Sequence, residues 1–253
     1  MKKITIAVLL VISMSVPALA ANKIIIPPTF TQEDLKLLSR DLGLTISYVP
    51  LAPAEPLGGV LPHVDMGVEV TGVKLDTNAA YIKKIEAVPG NEKIPSTIPF
   101  PKLHIQVGLP VIPIDLGYVY ASDSATNLKY MGGEVKWAIL KGSVATPAIA
   151  IRGAYTKLTG VPDLDISTKS LDLSISKGFL IFTPYAGYGM VWIDSKVTSK
   201  DPAVIALNLQ DVSTTEGKGF IGTKITFFPL MNMVFEADFA KVSSYSARLN
   251  IHF

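Results

Sequence analysis

Apolar and polar positions alternate along most of the chain from residue 65 onward. Stepping back by twos from the last residue, Phe253, Ile251, Leu249, Ala247 and Tyr245 interleave with His252, Asn250, Arg248 and Ser246. A strand points successive side chains to opposite faces, so this segment has one apolar and one polar face. The same period of two predicts nine further strands, at 65–75, 102–109, 113–121, 128–140, 147–158, 167–177, 179–194, 217–228 and 231–241. Their apolar faces carry aromatic and branched residues. Their polar faces carry Glu134 and Lys136, Arg152, Asp172, Lys224, Glu236 with Asp238, and Arg248.

The intervening connections run long (76–100), short (110–113), medium (122–128), short (141–146), medium (158–168), very short (178–179), long (194–215), very short (229–230) and short (242–244). Short turns at one end and longer loops at the other are the habit of an antiparallel membrane barrel. The expected architecture is an all-β antiparallel transmembrane barrel of about ten strands, within a range of eight to twelve, beginning at residue 65. Its ambiguous part is "LTISYV" at 44–49, which could add a strand.

Residues 21–64 lack the alternation. "TQEDLKLLSRDLG" starts on Thr31, has acids in its first turn and reaches Gly43 as a stop, which predicts a short helix. The Pro-rich "PLAPAEPLGG" after it is irregular. Leu35, Leu38 and Arg40 are its candidate plug residues, with the helix placed in the lumen or over the periplasmic mouth.

The first twenty residues read as a secretory signal: Lys2 and Lys3, an apolar run from Ile4 to Val16, and "ALA" at 18–20. Without Lys2 and Lys3 the basic residues fall from 23 to 21, equal to the 21 acids, so a neutral chain gives no electrostatic reason for a nucleic-acid partner. There is no Cys, which excludes a disulfide scaffold and a thiolate metal site. Hydrophobic residues make up 49% and the mean hydropathy is +0.39, yet beyond the signal no run of about 18 apolar residues occurs. An exported, apolar chain without a spanning helix must disperse its apolar residues around a closed barrel, where every backbone group is paired. The bacterial outer membrane is the expected location.

Candidate chemistry is sparse. There are three histidines, His63, His104 and His252, and none has a serine two residues away on its own face. A protease- or lipase-like triad therefore has no visible frame. No spacing suggests a metal cluster or a cofactor, and "PDLDIS" reads as an ordinary loop. The glycines of "GYGMVW" lie in a strand and precede no helix, which removes a nucleotide reading. No catalytic residue is assigned. The inward charges Glu134, Lys136, Arg152, Asp172, Lys224, Glu236, Asp238 and Arg248 are candidates either to glue the interior or to line a polar path and set its selectivity. Tyr118, Trp137, Trp192, Phe227 and Phe253, with Tyr120 and Tyr188, are candidates for an aromatic girdle at the lipid interface.

The stretches "GLPVIPIDLGYVYA", "RGAYTKLTGVPDLDISTKSLDLSISKGF" and "TPYAGYG", preceded by "PAEPLGG", resemble a family of uncharacterised outer-membrane β-barrel proteins of Gram-negative bacteria. The resemblance spans roughly residues 50–190. It implies fold and location and brings no substrate or catalytic residue. The N-terminal helix before a barrel is similar in plan to plugged channels for hydrophobic compounds.

Three functions follow as expectations. The first is a passive channel for a small or hydrophobic solute with the N-terminal segment as gate. The second is a filled barrel acting through its outer loops, where "IPSTIPFP" and "PAVIALNL" could meet lipopolysaccharide or a partner. The third is a lipid-modifying enzyme, for which the histidines offer little. Expected partners are outer-membrane lipid, lipopolysaccharide and the barrel-assembly machinery, the last through the strand ending at Phe253. The sequence leaves the oligomeric state open.

Overall fold

The structure is a computed structural model, and it describes residues 25–123, 127–161, 163–228 and 230–253. The predicted signal peptide lies outside them. Ten antiparallel strands close into a barrel: β1 (His63–Lys74), β2 (Thr97–Gly108), β3 (Ile114–Asp123), β4 (Leu128–Lys141), β5 (Ala148–Thr159), β6 (Leu164–Ser176), β7 (Phe182–Val197), β8 (Val212–Phe228), β9 (Met231–Phe239) and β10 (Ser243–His252). Each strand pairs with its sequence neighbours, and β1 closes the ring on β10 from Asp65↔His252 to Lys74↔Ser243. The segment 44–49 joins no strand, which fixes the count at ten.

Three helices gather at one end of the barrel, hereafter the helix end: α1 (Gln32–Ile46), α2 (Ala80–Glu86) between β1 and β2, and α3 (Pro202–Ile205) between β7 and β8. The opposite end, the turn end, carries the connections 109–113, 142–147 and 177–181, and there β8 ends at Phe228 and β9 begins at Met231. The two long connections share the helix end, as the sequence predicts. The medium ones do not stay medium. Pairing of Asp123 with Leu128 and of Lys129 with Thr159 carries the strands further, so β3 runs to Asp123 and β4 starts at Leu128, and β5 runs to Thr159 and β6 starts at Leu164.

β2 is the largest departure from the sequence reading, which left 97–101 in a loop because of Pro99 and Pro101. β2 pairs with β1 from Thr97 to Gly108 but with β3 only from Leu103. Beyond that point one side of β2 has no ladder to supply, and a strand with a free side tolerates residues without an N–H.

The wall is inside-out relative to a soluble barrel. Outward positions such as Leu171, Leu173 and Ile175 of β6 are exposed and apolar, while inward ones such as Lys136, Arg152 and Arg248 are buried and charged. An apolar outer belt on a closed barrel is the arrangement of a chain that spans a bilayer with strands.

The interior has two tiers. At the helix end it is apolar: Leu35, Leu44 and Ile46 of α1 and Tyr81, Ile82 and Ile85 of α2 pack with wall residues that include Val119, Tyr130, Leu158, Ile166, Val191 and Ile193. Each fully buried Leu or Ile contributes about 1.5–3 kcal/mol, so this cluster is what docks α1. Below it buried charges are interleaved with two smaller apolar clusters, one of Val49, Leu51, Tyr185, Phe220 and Val234 and one of Ala54, Ala138, Ala148 and Ala150. α1 therefore lies within the helix end of the lumen.

Candidate functional site

α1 begins on Thr31, whose hydroxyl accepts from the Asp34 N–H at 3.3 Å while the Asp34 carboxylate accepts from the Thr31 N–H at 2.8 Å. This reciprocal cap satisfies two donors that the helix leaves unpaired. Gly43 does not stop the helix, which continues to Ile46. A Cβ at Gly43 would stand 2.3 Å from Cγ2 of Ile193, so the glycine marks where α1 presses closest on β7. Leu35 is buried. Leu38 is half-buried and packs against the same cluster, and Arg40 is half-buried and pairs with Asp41 at 2.8 Å.

After α1 the chain runs as the extended strap "SYVPLAPAEPL", 47–57, from the apolar tier to the turn end, where β1 begins. Pro50, Pro53 and Pro56 remove three N–H donors from a backbone that has no ladder to join. The remaining strap groups are met by wall side chains. Lys218 donates to the Tyr48 carbonyl at 2.7 Å and to the Ser47 hydroxyl at 3.2 Å. The Leu51 N–H donates to Glu236 at 2.8 Å, and the Leu51 carbonyl accepts from Arg248 at 2.9 Å. Ser176 accepts from the N–H groups of Ala54 and Glu55. Lys136 donates to the carbonyls of Pro53 and Glu55 at 2.8 and 2.9 Å, and Asp115 accepts from the Leu57 N–H at 3.0 Å. At the turn end Gly58 and Gly108 meet backbone to backbone: a Cβ on Gly108 would fall 2.0 Å from the Gly58 nitrogen. Only glycine allows that approach.

All eight charges picked out by period two face the interior. Glu134, Lys136, Arg152, Glu236, Asp238 and Arg248 are buried, and Asp172 and Lys224 are partly so. Three of them, Lys136, Glu236 and Arg248, hold the strap directly. Arg152 lies 3.2 Å from Glu134 and 3.8 Å from Asp172, and Asp238 lies 3.3 Å from Lys218.

The sequence reading missed Glu69, Lys102, Asp115 and Lys218. Asp115 and Lys218 fall on the polar parity of strands already recognised, so extending the count by one step finds them. Lys102 likewise shares the parity of His104 and Gln106 in the predicted strand 102–109, and the faces of β1 were left unassigned.

Glu69 and Lys102 belong to a buried relay. Lys102 pairs with Glu69 at 2.5 Å, Glu69 bonds His104 Nδ1 at 2.9 Å, and His104 Nε2 bonds the Tyr48 hydroxyl at 2.9 Å. A carboxylate, an imidazole and a hydroxyl in series have the form of a nucleophile triad, but here the hydroxyl is phenolic and belongs to the strap. The chemistry available is to lock Tyr48 in place. His63 and His252 stack 5.1 Å apart at the turn end, and His252 Nδ1 lies 2.5 Å from Asp65. Among the described residues no group of three or more His, Asp or Glu is placed to hold a metal ion.

On the outer surface Tyr118, Trp137, Trp192, Phe227 and Phe253 are all between 40% and 65% exposed. The apolar pieces expected to face a partner mostly fold inward instead. Ile98 is buried, Phe100 packs edge-on against Tyr130 at 5.0 Å, and Leu207 and Leu209 join the interior cluster, leaving Ile205 exposed.

Three solved outer-membrane proteins are similar to this chain. The N-terminal β-barrel domain of Pseudomonas aeruginosa OprF matches at 12% identity and a TM-score of 0.36, over 75% of this chain and 97% of that one. Neisserial surface protein A matches at 8% and 0.29, over 76% and 95%. Ail, the attachment invasion locus protein of Yersinia pestis, matches at 12% and 0.28, over 76% and 97%. No family model and no curated relative matches the sequence.

Proposed function

We propose that the protein is a bacterial outer-membrane barrel forming a gated passage for a small solute, with residues 32–57 as the gate. One observation carries this reading: the wall grips the strap mainly through strap backbone groups, using side chains that also suit a passing polar solute. Lys136, Lys218 and Arg248 donate to carbonyls, while Asp115, Ser176 and Glu236 accept from N–H groups. With the strap displaced, these groups face a lumen that water can enter and become its selectivity residues. Donors and acceptors of both signs suit a neutral or zwitterionic solute better than a strongly selected ion. The inward folding of Ile98, Phe100, Leu207 and Leu209 supports the gate over a loop-borne adhesive surface.

Planar-bilayer conductance of the refolded protein tests the proposal. The full chain should be silent or flicker, and a chain lacking 25–57 should show stable steps. Silence in both would reject the passage, and equal steps in both would reject the gate.

A further inference from the structure

A cavity of about 40 Å³ lies beside the strap toward the turn end. It is lined by strap residues 51–53 and 55–57 and by Asp65, Gln106, Lys136, Lys224 and Arg248 of the wall. Its volume admits about three water-sized groups. Two of its cations stand out.

Arg248 is only 2% exposed, and no carboxylate lies within ion-pair distance of it among the described residues. One terminal nitrogen donates to the Leu51 carbonyl and to Gln106 Oε1 at 2.8 Å, whereas Nε and Nη1 have no partner. The register explains why. Its neighbour across β1 is Glu69, already engaged by Lys102, His104 and Thr71, and its neighbour across β9 is Val234. Lys224 faces Thr183 on one side and Val234 on the other, so its strand partners also supply no acid.

The other charges of the cavity are accounted for differently. Lys136 pairs with Asp115 at 2.8 Å, and Asp65 is held by His252. The Glu55 carboxylate reaches the turn at 177–181, 3.6 Å from where a Cβ on Gly178 would stand. Among the described residues Arg248 and Lys224 thus remain as two cations with no carboxylate at ion-pair distance, around a space of atomic size that Asp65 and Glu55 also border. A buried charge left uncompensated is strongly destabilising, by far more than a neutral void. We infer that this cavity is a binding site for a compact inorganic anion, seated between Arg248 and Lys224. The guanidinium offers two directed N–H groups and the ammonium a movable point charge, the pairing that suits a small oxyanion or halide. The site is a property of the closed barrel and stands whether or not the strap moves.

Thermal unfolding of the full-length protein in neutral detergent tests it. Sodium chloride, sodium phosphate and sodium gluconate are compared at equal ionic strength. The unfolding midpoint should rise saturably with chloride or with phosphate, the better of the two telling halide from oxyanion, and gluconate should have no such effect. In Lys224→Gln the half-saturating concentration should increase roughly tenfold or more. Arg248→Gln should abolish the response, but it also releases the Leu51 carbonyl and can fail to fold; Lys224 makes no bond to the strap, so its variant decides. Identical midpoints in all three salts, or an unchanged response in Lys224→Gln, would overturn the site.

Discussion

At Gly43 a single methyl group decides whether α1 can lie against β7. Ile193 is branched at Cβ and buried, so it has little room to withdraw. Gly43→Ala should weaken docking of α1 by about 1–3 kcal/mol despite its better helix propensity. Hydrogen exchange of α1 amides reads this directly, and adding Ile193→Ala should restore most of the protection. Glu236 works by satisfaction rather than by space. It accepts from the Leu51 N–H and, at 2.7 Å, from the Tyr185 hydroxyl. Glu236→Leu strands both buried donors and should cost about 2–4 kcal/mol in urea unfolding of the barrel, and Tyr185→Phe in the same chain should recover part of it. Which way Ile193 and Glu236 face was legible from period two, because parity is a property of the strand alone, whereas Gly43 read only as a helix stop. What Glu236 binds was not legible, since its partner is the backbone of a segment 185 residues away with no period of its own.

The elements divide along the same line. β4 to β7 were read nearly whole, because a period of two runs through most of each, although apolar runs such as Met190–Ile193 blur it. β2 was cut short by its prolines, which are harmless because its ladder with β3 stops at Leu103↔Tyr120 while β3 itself runs on to Asp123, a fact of neighbouring geometry. α2 was missed because seven residues of helix inside a loop leave too short a pattern, and its apolar side is explained by the cluster it shares with α1. The pairing of these two helices has a pH signature. Burial pushes the Asp34 carboxyl up, but the Lys84 ammonium at 2.6 Å and the Thr31 bonds outweigh it, and its pKa falls below the ordinary 3.8. A depressed carboxylate stabilises fully above its unfolded pKa and loses that contribution as pH drops through the folded value. Docking of α1 on α2 should therefore be flat above about pH 5 and weaken progressively below about pH 4, seen as faster proteolysis within α1. Lys84→Met should flatten that dependence.

For the whole molecule the prediction concerns movement of the strap. The chain has no cysteine, so a pair introduced by Ala54→Cys and Ser176→Cys is the only thiol pair available. The Ala54 N–H donates to the Ser176 hydroxyl at 3.0 Å, which sets the two residues side by side. Oxidised, this variant should be silent in bilayers under any applied voltage. Reduction should restore whatever openings the parent chain shows, and openings in the oxidised form would mean that the strap is not the gate.

The closed β1–β10 seam encircles a segment that enters at the turn end and reaches the helix end. An even number of strands returns β10 to the end where β1 began, yet Ile25, bonded through Asn91 to the β1–β2 connection, sits at the other. A ring cannot be threaded afterwards by a 15-residue helix without emptying its whole lumen. Assembly therefore has an order written into the topology: the segment is laid along the curved sheet first, and the last ladder to zip is the one between the first and final strands.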